Sequence, residues 1–123
     1  MLSIAKLNKV YPNAVHAVRD LDLQVDPGEI YVMLGANGAG KTTTLMLCLG
    51  FTEPTSGTVR INGIDINKEP LKAKHHVSYV SENVQLYGNF TAVQNVEFFA
   101  RVGGKPRITR DEVVATLSRV GLP

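Results

Sequence analysis

A run of glycines followed by a lysine and three threonines is the most informative stretch of this chain. It reads Gly35-Ala36-Asn37-Gly38-Ala39-Gly40-Lys41-Thr42, with Thr43 next, and fits Gly-x-x-x-x-Gly-Lys-Ser/Thr at every fixed position. Glycines bring the backbone close to a ligand, and successive N–H groups at a helix start form an anion site. Lys41 is placed to reach terminal phosphates, and the Thr42 hydroxyl suits Mg²⁺. The stretch predicts a phosphate-binding loop.

The segments on either side of this loop fit that interpretation. Residues 30–34 are a continuous apolar run, which predicts a strand buried on both faces. Residues 44–49 are nearly all apolar and end at Gly50, which predicts a helix with a glycine C-cap. Strand, glycine-rich loop and helix form the setting that a phosphate-binding loop requires.

Composition restricts the class of protein. The chain has 123 residues, enough for one domain with a core, and 44% of them are hydrophobic. A net charge of +2 does not favour nucleic acid or an anionic membrane as a partner, and no apolar run approaches 18 residues. The N-terminus does not resemble a signal peptide, and the single Cys48 forms no internal disulfide. We therefore expect a reduced, cytosolic setting.

Residues 1–90 have the pattern of a β-rich core. Leu2, Ile4 and Leu7 indicate a first strand, residues 11–13 a turn, and the alternation over 16–25 a half-buried strand. Asn62-Gly63 predicts a hairpin turn between strands within 58–66. Residues 67–74 predict a short helix, 75–80 a strand and 81–90 a loop.

Residues 91–123 have the pattern of a helical section. Thr91-x-x-Gln94 and Thr109-x-x-Glu112 are capping boxes, each of which predicts a helix start. The first helix is expected to break at residues 103–106, which include Pro106, and the second to end at Gly121 and Pro123. The expected apolar stripe of the second helix comprises Val113, Val114, Leu117 and Val120.

Other nucleotide-binding classes fit less well. A GTPase needs an Asn-Lys-x-Asp element, and the two Asn-Lys pairs, at residues 8–9 and 67–68, lack the Asp. There is no Asp-x-x-Gly, and no long basic lid of the kind that small kinases carry follows the loop.

The chain resembles the N-terminal half of an ATP-binding-cassette (ABC) nucleotide-binding domain along nearly its whole length. The resemblance rests on LGANGAGKTTTL, on PTSGTV at 54–59, on Asn62-Gly63, on Gly28-Glu29-Ile30 and on TAVQNV at 91–96. It implies an α/β fold, with a P-loop NTPase core and an antiparallel β-subdomain, truncated before the signature helix and the Walker B strand. Residues 1–90 would then be the core that holds the loop, and 91–123 the start of the helical subdomain.

The resemblance also implies roles for individual residues. Tyr11 matches the aromatic position that stacks on adenine, and a flat amphipathic ring suits a base face. Thr43 matches the residue that bonds the α-phosphate, and Ala17 is expected beside the base or ribose. Glu82 stands where the family usually has a glutamine near Mg²⁺ and the attacking water. As an alternative, Glu82 is a solvated loop residue.

The expected function is that of an ATP-binding subunit, using Mg-ATP and coupling hydrolysis to transport when complete. Its partners would be a membrane permease and a second nucleotide-binding domain arranged head to tail, at the inner face of the cell membrane, and not nucleic acid. The sequence contains no Leu-Ser-Gly-Gly-Gln and no four apolar residues ending in Asp-Glu, and no histidine matches the switch position. An ATP-binding module without turnover and a non-transport ABC-type ATPase therefore remain alternatives.

Overall fold

The computed structural model describes residues 1–105 and 107–122. The helix breaks expected at Pro106 and Pro123 lie outside the described residues. The chain divides into two units, Met1–Tyr79 and Val80–Pro123. None of the described helices combines the length and the apolar character needed to cross a membrane.

The first unit contains a four-stranded antiparallel sheet. Its strands are β1 (Leu2–Val10), β2 (His16–Val25), β3 (Ser56–Ile61) and β4 (Ile64–Asp65), in the order β2-β1-β3-β4. The alternation over 16–25 correctly predicted β2. The hairpin at Asn62-Gly63 is also confirmed, with φ of 49° and 81° at the two turn residues, as a type I′ turn requires.

Helix α1 (Lys41–Cys48) follows the glycine-rich loop, and the predicted Gly50 stops it just after the C-cap residue Leu49. Gly50 has φ of 67°, and the amides of Gly50 and Phe51 donate to carbonyls of the last turn. Leu47 is fully buried and joins the helix to the core. The short helix α2 (Pro70–Lys74) is also confirmed, and it contributes Ala73. The other core side chains come from the sheet and its edge: Ile4, Leu7, Val18, Val59, Ile61 and Ile66.

Two predicted strands are absent from the described residues, those at 30–34 and 75–80. Both segments are irregular, and in the first of them Ile30 is 90% exposed and Leu34 is 87% exposed. An apolar run becomes a buried strand only when neighbouring strands supply backbone partners and cover its faces. No such neighbour lies beside either segment within the described part of the chain. The α/β class with an antiparallel sheet is nevertheless confirmed.

The second unit contains two capped helices, α3 (Ala92–Val102) and α4 (Arg110–Arg119). Both predicted capping boxes are present, with reciprocal bonds at Thr91–Gln94 and Thr109–Glu112. The predicted stripe on α4 is only half correct, because Val113 and Leu117 are buried whereas Val114 and Val120 are exposed. The buried residue of α3 is a polar one, Asn95.

Candidate functional site

The glycine-rich loop folds tightly in front of α1. Gly38 and Gly40 have φ of 83° and 86°, a region that side-chain-bearing residues rarely adopt. A Cβ added at Gly40 would lie 2.2 Å from the carbonyl oxygen of Ala17 on β2. Gly40 therefore lets the loop approach the sheet closely, and this contact sets where α1 begins.

Most amides of the loop have no hydrogen-bond partner among the residues that the structure describes. The Ala39 N–H donates to the Ala36 carbonyl at 3.2 Å. Over the described residues, no acceptor is found for the N–H groups of Asn37, Gly38, Gly40, Lys41, Thr42 and Thr43. Unpaired N–H groups at a helix start carry a partial positive charge and favour an anion. The loop thus presents a set of donors to an external ligand.

Lys41 adds a full positive charge to this set. Its ammonium donates to the carbonyl oxygens of Gly35 at 2.5 Å and Ala36 at 2.7 Å. These bonds hold the Lys41 side chain against the first residues of the glycine-rich loop. An ammonium has three donors, so a bound phosphate can take the remaining one or replace a carbonyl.

The loop and Tyr11 line one open cavity of about 490 Å³. Its lining combines one aromatic residue, two small apolar ones and loop residues: Tyr11, Val15, Ala17, Asn37, Gly38, Gly40, Lys41, Thr42 and Thr43. The Tyr11 hydroxyl lies 3.4 Å from the Thr43 hydroxyl. The structure therefore brings together the residues predicted to hold a base and those predicted to hold phosphates. Gly35, Ala36 and Ala39 complete the loop without lining this cavity.

A tight turn between β1 and β2 positions Tyr11. The Tyr11 amide donates to the Val15 carbonyl and its carbonyl accepts from Ala14, both at 2.9 Å, and Ala14 has φ of 61°. The same turn brings Val15 to the cavity, which the sequence did not indicate. The ammonium of Lys9 lies 5.2 Å from the centroid of the Tyr11 ring. The motif patterns gave no signal for this contact.

Of the two residues expected to bind Mg²⁺, Thr42 lines the cavity and Glu82 does not. Thr42 is exposed at the cavity, and its hydroxyl makes no hydrogen bond to any described residue. Glu82 belongs to the second unit, where it is exposed in a bend. No group of three or more His, Cys, Asp or Glu side chains suited to a metal occurs in the described ranges. The donors in the first unit fit a cation held mainly by ligand oxygens and water, with Thr42 as one protein ligand.

Cys48 packs against the hydrophobic core. It is the last residue of α1 and lies half-buried against the core, and burial raises the pKa of its thiol to about 11. A thiol with so high a pKa is a poor nucleophile and metal ligand near neutral pH. Cys48 is therefore not part of the site.

Comparison with known proteins identifies the family. The family model described as ABC transporter matches residues 18–123. The chain is 37% identical over 102 residues to the probable multidrug ABC transporter ATP-binding protein YbhF of Escherichia coli strain K12. This alignment covers 83% of this chain and 18% of YbhF. It is 36% identical over 104 residues to the ABC transporter ATP-binding protein NatA of Bacillus subtilis strain 168, covering 84% of this chain and 41% of NatA.

Comparison with a solved structure supports the same family. The structure of cbiO1 from Clostridium perfringens, described as part of the ABC transporter complex cbiONQ, superposes with a TM-score of 0.78 at 26% identity. The match covers 98% of this chain and 50% of that one. The chain thus spans between 18% and 50% of the length of these three proteins. By sequence and by fold, the chain belongs to the ABC transporter family.

Proposed function

We propose that this chain is the nucleotide-binding part of an ABC transporter ATPase and binds Mg-ATP in the cavity between Tyr11 and the glycine-rich loop. The observation that carries the proposal is the set of loop amides between Asn37 and Thr43, all but that of Ala39, that find no acceptor among the described residues and lie next to the Lys41 ammonium. The polyphosphate is the part of ATP that such donors recognise. The Tyr11 ring, in the same cavity, would take the adenine.

Each residue then has a separate role. The loop amides and Lys41 neutralise the β- and γ-phosphates, and the Thr43 hydroxyl bonds the α-phosphate. Thr42 would hold Mg²⁺, which supplies further positive charge toward the phosphates when bound. Glu82 is proposed as a second oxygen ligand for the metal. As a carboxylate, it would bring negative charge and could not donate a hydrogen bond to water as a glutamine does.

The proposed partners follow from the family. The printed names of the relatives describe ATP-binding proteins of transporters, and cbiO1 is described as part of a transporter complex. We propose that the full-length protein docks on a membrane permease at the cytoplasmic face and pairs with a second nucleotide-binding domain. Hydrolysis would be an in-line attack of water on the γ-phosphate, assisted by positioning and charge.

Calorimetric titration with Mg-ATP tests the binding proposal. Lys41→Ala removes a charge-assisted hydrogen bond to phosphate, and the dissociation constant is expected to rise by about tenfold or more. Lys68→Ala, which removes the same charge from an exposed position away from the cavity, is the matched control and should bind as the wild type does. Equal affinity in the Lys41 variant would show that the loop does not hold the phosphates.

A second candidate function, ATP binding without turnover, is favoured by one observation. The 123 residues contain neither Leu-Ser-Gly-Gly-Gln nor an apolar run ending in Asp-Glu, the stretch in which the family resemblance places the glutamate that activates water. A phosphate-release assay on this chain separates the two candidates. Steady release of phosphate that is lost in Lys41→Ala would contradict the binding-only function.

A further inference from the structure

The Tyr11 ring is held by two contacts, neither of which the loop motif predicts. Its hydroxyl lies 3.4 Å from that of Thr43, and its face lies under the Lys9 ammonium, 5.2 Å from the ring centroid. The first contact joins the ring to the start of α1. The second places a cation against its π-electrons, an attractive arrangement at this distance.

The Lys9 ammonium is itself fixed in place. It donates to the Glu53 carbonyl at 2.6 Å, and Lys9 as a residue is partly buried. Next to it, the Val10 amide donates to the Thr55 hydroxyl and the Thr55 amide donates to the Asn8 carbonyl, each at 2.9 Å. The end of β1 is therefore bonded to the loop that follows α1, and Lys9 extends this connection to the ring.

We infer that Lys9 is a positioning residue for the base: its ammonium, anchored on the Glu53 carbonyl, covers one face of Tyr11 and holds the ring so that its other face can stack on adenine. The inference rests on the proposed function, because it needs a nucleotide in the Tyr11 cavity. Base stacking depends on ring orientation, and a ring held in advance loses less conformational freedom on binding. Lys9 therefore acts on the base end of the ligand and not on its phosphates.

The test compares a ligand that has a base with one that lacks it. Calorimetric titrations with Mg-ATP and with inorganic tripolyphosphate in Mg²⁺ are run on the wild type, Lys9→Met and Lys9→Arg. Methionine keeps the length and apolar stem of the side chain but removes the charge. We expect Lys9→Met to weaken ATP binding about threefold to fivefold and to leave tripolyphosphate binding unchanged. Arginine keeps a planar cation that also stacks on aromatic rings, and should restore ATP binding.

Two controls separate positioning from a general effect. Lys6→Met makes the same change on the same strand, at an exposed lysine paired with Asp22, and should alter neither affinity. In a Tyr11→Ala background, Lys9→Met should have no further effect on ATP, because the ring through which Lys9 acts is gone. An additional loss in that background would overturn the inference. This comparison holds even if Tyr11→Ala lowers stability, because the ATP affinities of Tyr11→Ala and of Tyr11→Ala with Lys9→Met are compared with each other.

The remaining outcomes are also distinguishable. If wild-type and Lys9→Met chains bind ATP equally, Lys9 does not position the ring, while the proposed function stands. If Lys9→Met weakens ATP and tripolyphosphate together, Lys9 acts on the phosphates or on the fold, and the inference is wrong. If the wild type binds neither ligand, the proposed function fails and this inference fails with it.

Discussion

At the scale of single residues, Gly40 has the strictest requirement in the loop. It combines φ of 86° with the Ala17 carbonyl oxygen 2.2 Å from the position of an added Cβ. Gly38 has φ of 83° but nothing within 4 Å of that position. An alanine at Gly38 would therefore have only the free-energy cost of a positive φ, whereas an alanine at Gly40 would have that cost and the cost of a steric clash.

We predict that Gly38→Ala lowers the free energy of unfolding by about 1–2 kcal/mol, the usual cost of positive φ for a residue with a Cβ. Gly40→Ala should cost at least about 1 kcal/mol more, because the β2 backbone must also move. Urea unfolding of both variants measures the difference. Equal losses would mean that the loop does not press against Ala17 as described.

The site residues show what a sequence pattern can predict. The motif predicted the phosphate-binding loop and the positions of Lys41 and Thr42 in it, because phosphate binding depends on the fixed local spacing of these residues. Tyr11 came from the family resemblance, and the cavity places it with the loop. Lys9 and Val15 were missed, because their contacts depend on how a turn and a distant loop fold. The role of Glu82 stays a prediction.

At the scale of secondary-structure elements, Asn95 joins α3 to the loop before it. Its side chain accepts a hydrogen bond from the Tyr87 amide and donates to the carbonyls of Tyr87, Phe90 and Thr91. Asn95 is only 6% exposed, and its hydrogen bonds to this loop are partly shielded from water. One side-chain amide group therefore bonds one backbone amide and three backbone carbonyls at the start of α3.

Asn95→Ala is expected to lower the free energy of unfolding by about 1–3 kcal/mol, since the Tyr87 amide and the Phe90 carbonyl lose the hydrogen-bond partner that Asn95 supplies. Asn89→Ala, in the exposed turn of the same loop, should change it by less than about 0.5 kcal/mol. Denaturation followed by far-ultraviolet circular dichroism measures both. If the two variants were equally stable, Asn95 would not hold the loop.

The start of α4 should respond to acid. Lys105 and the Thr109 amide and hydroxyl bond the Glu112 carboxylate and lower its pKa from 4.5 to about 2. A depressed pKa means that this carboxylate stabilises the fold above about pH 4.5 and that the contribution is lost as pH falls toward 2. Lys105→Met should move the Glu112 pKa upward, whereas Lys72→Met should not. Carboxyl chemical shifts followed by NMR across this range give both values, and an unmoved pKa in Lys105→Met would contradict the pairing.

Local signals predicted the helices and the hairpin well. Both capping boxes, the glycine end of α1 and the Asn-Gly turn are decided by neighbouring residues. The strands expected at 30–34 and 75–80 were wrong, because strand formation needs partners that are distant in sequence. An apolar run indicates where a strand is favoured, but not whether a neighbouring strand lies beside it.

At the scale of the whole molecule, the irregular segment 30–34 exposes apolar side chains that a complete sheet would cover. Ile30, Val32 and Leu34 are all largely exposed. Exposed apolar side chains, on a backbone whose N–H and C=O groups have no strand partner, favour association between copies. The 123-residue chain is therefore expected to self-associate or to be marginally stable.

We predict that light scattering shows a mass that rises with protein concentration. Leu34→Lys should shift the distribution toward the monomer, because it introduces a charge into the exposed segment. Leu71→Lys adds the same charge at another exposed leucine and should have little effect. A monomer at all concentrations with cooperative unfolding would show that this segment is not a point of association.

We propose that the amides between residues 35 and 43 form the binding site for a nucleotide's phosphates. Titration of the ¹⁵N-labelled chain with Mg-ATP, followed by amide NMR shifts, tests it most directly. We expect the largest shifts at five loop amides, and we expect tripolyphosphate to reproduce them: Gly38, Gly40, Lys41, Thr42 and Thr43. Unchanged amides in this loop at saturating nucleotide, or shifts confined to other parts of the chain, would contradict it.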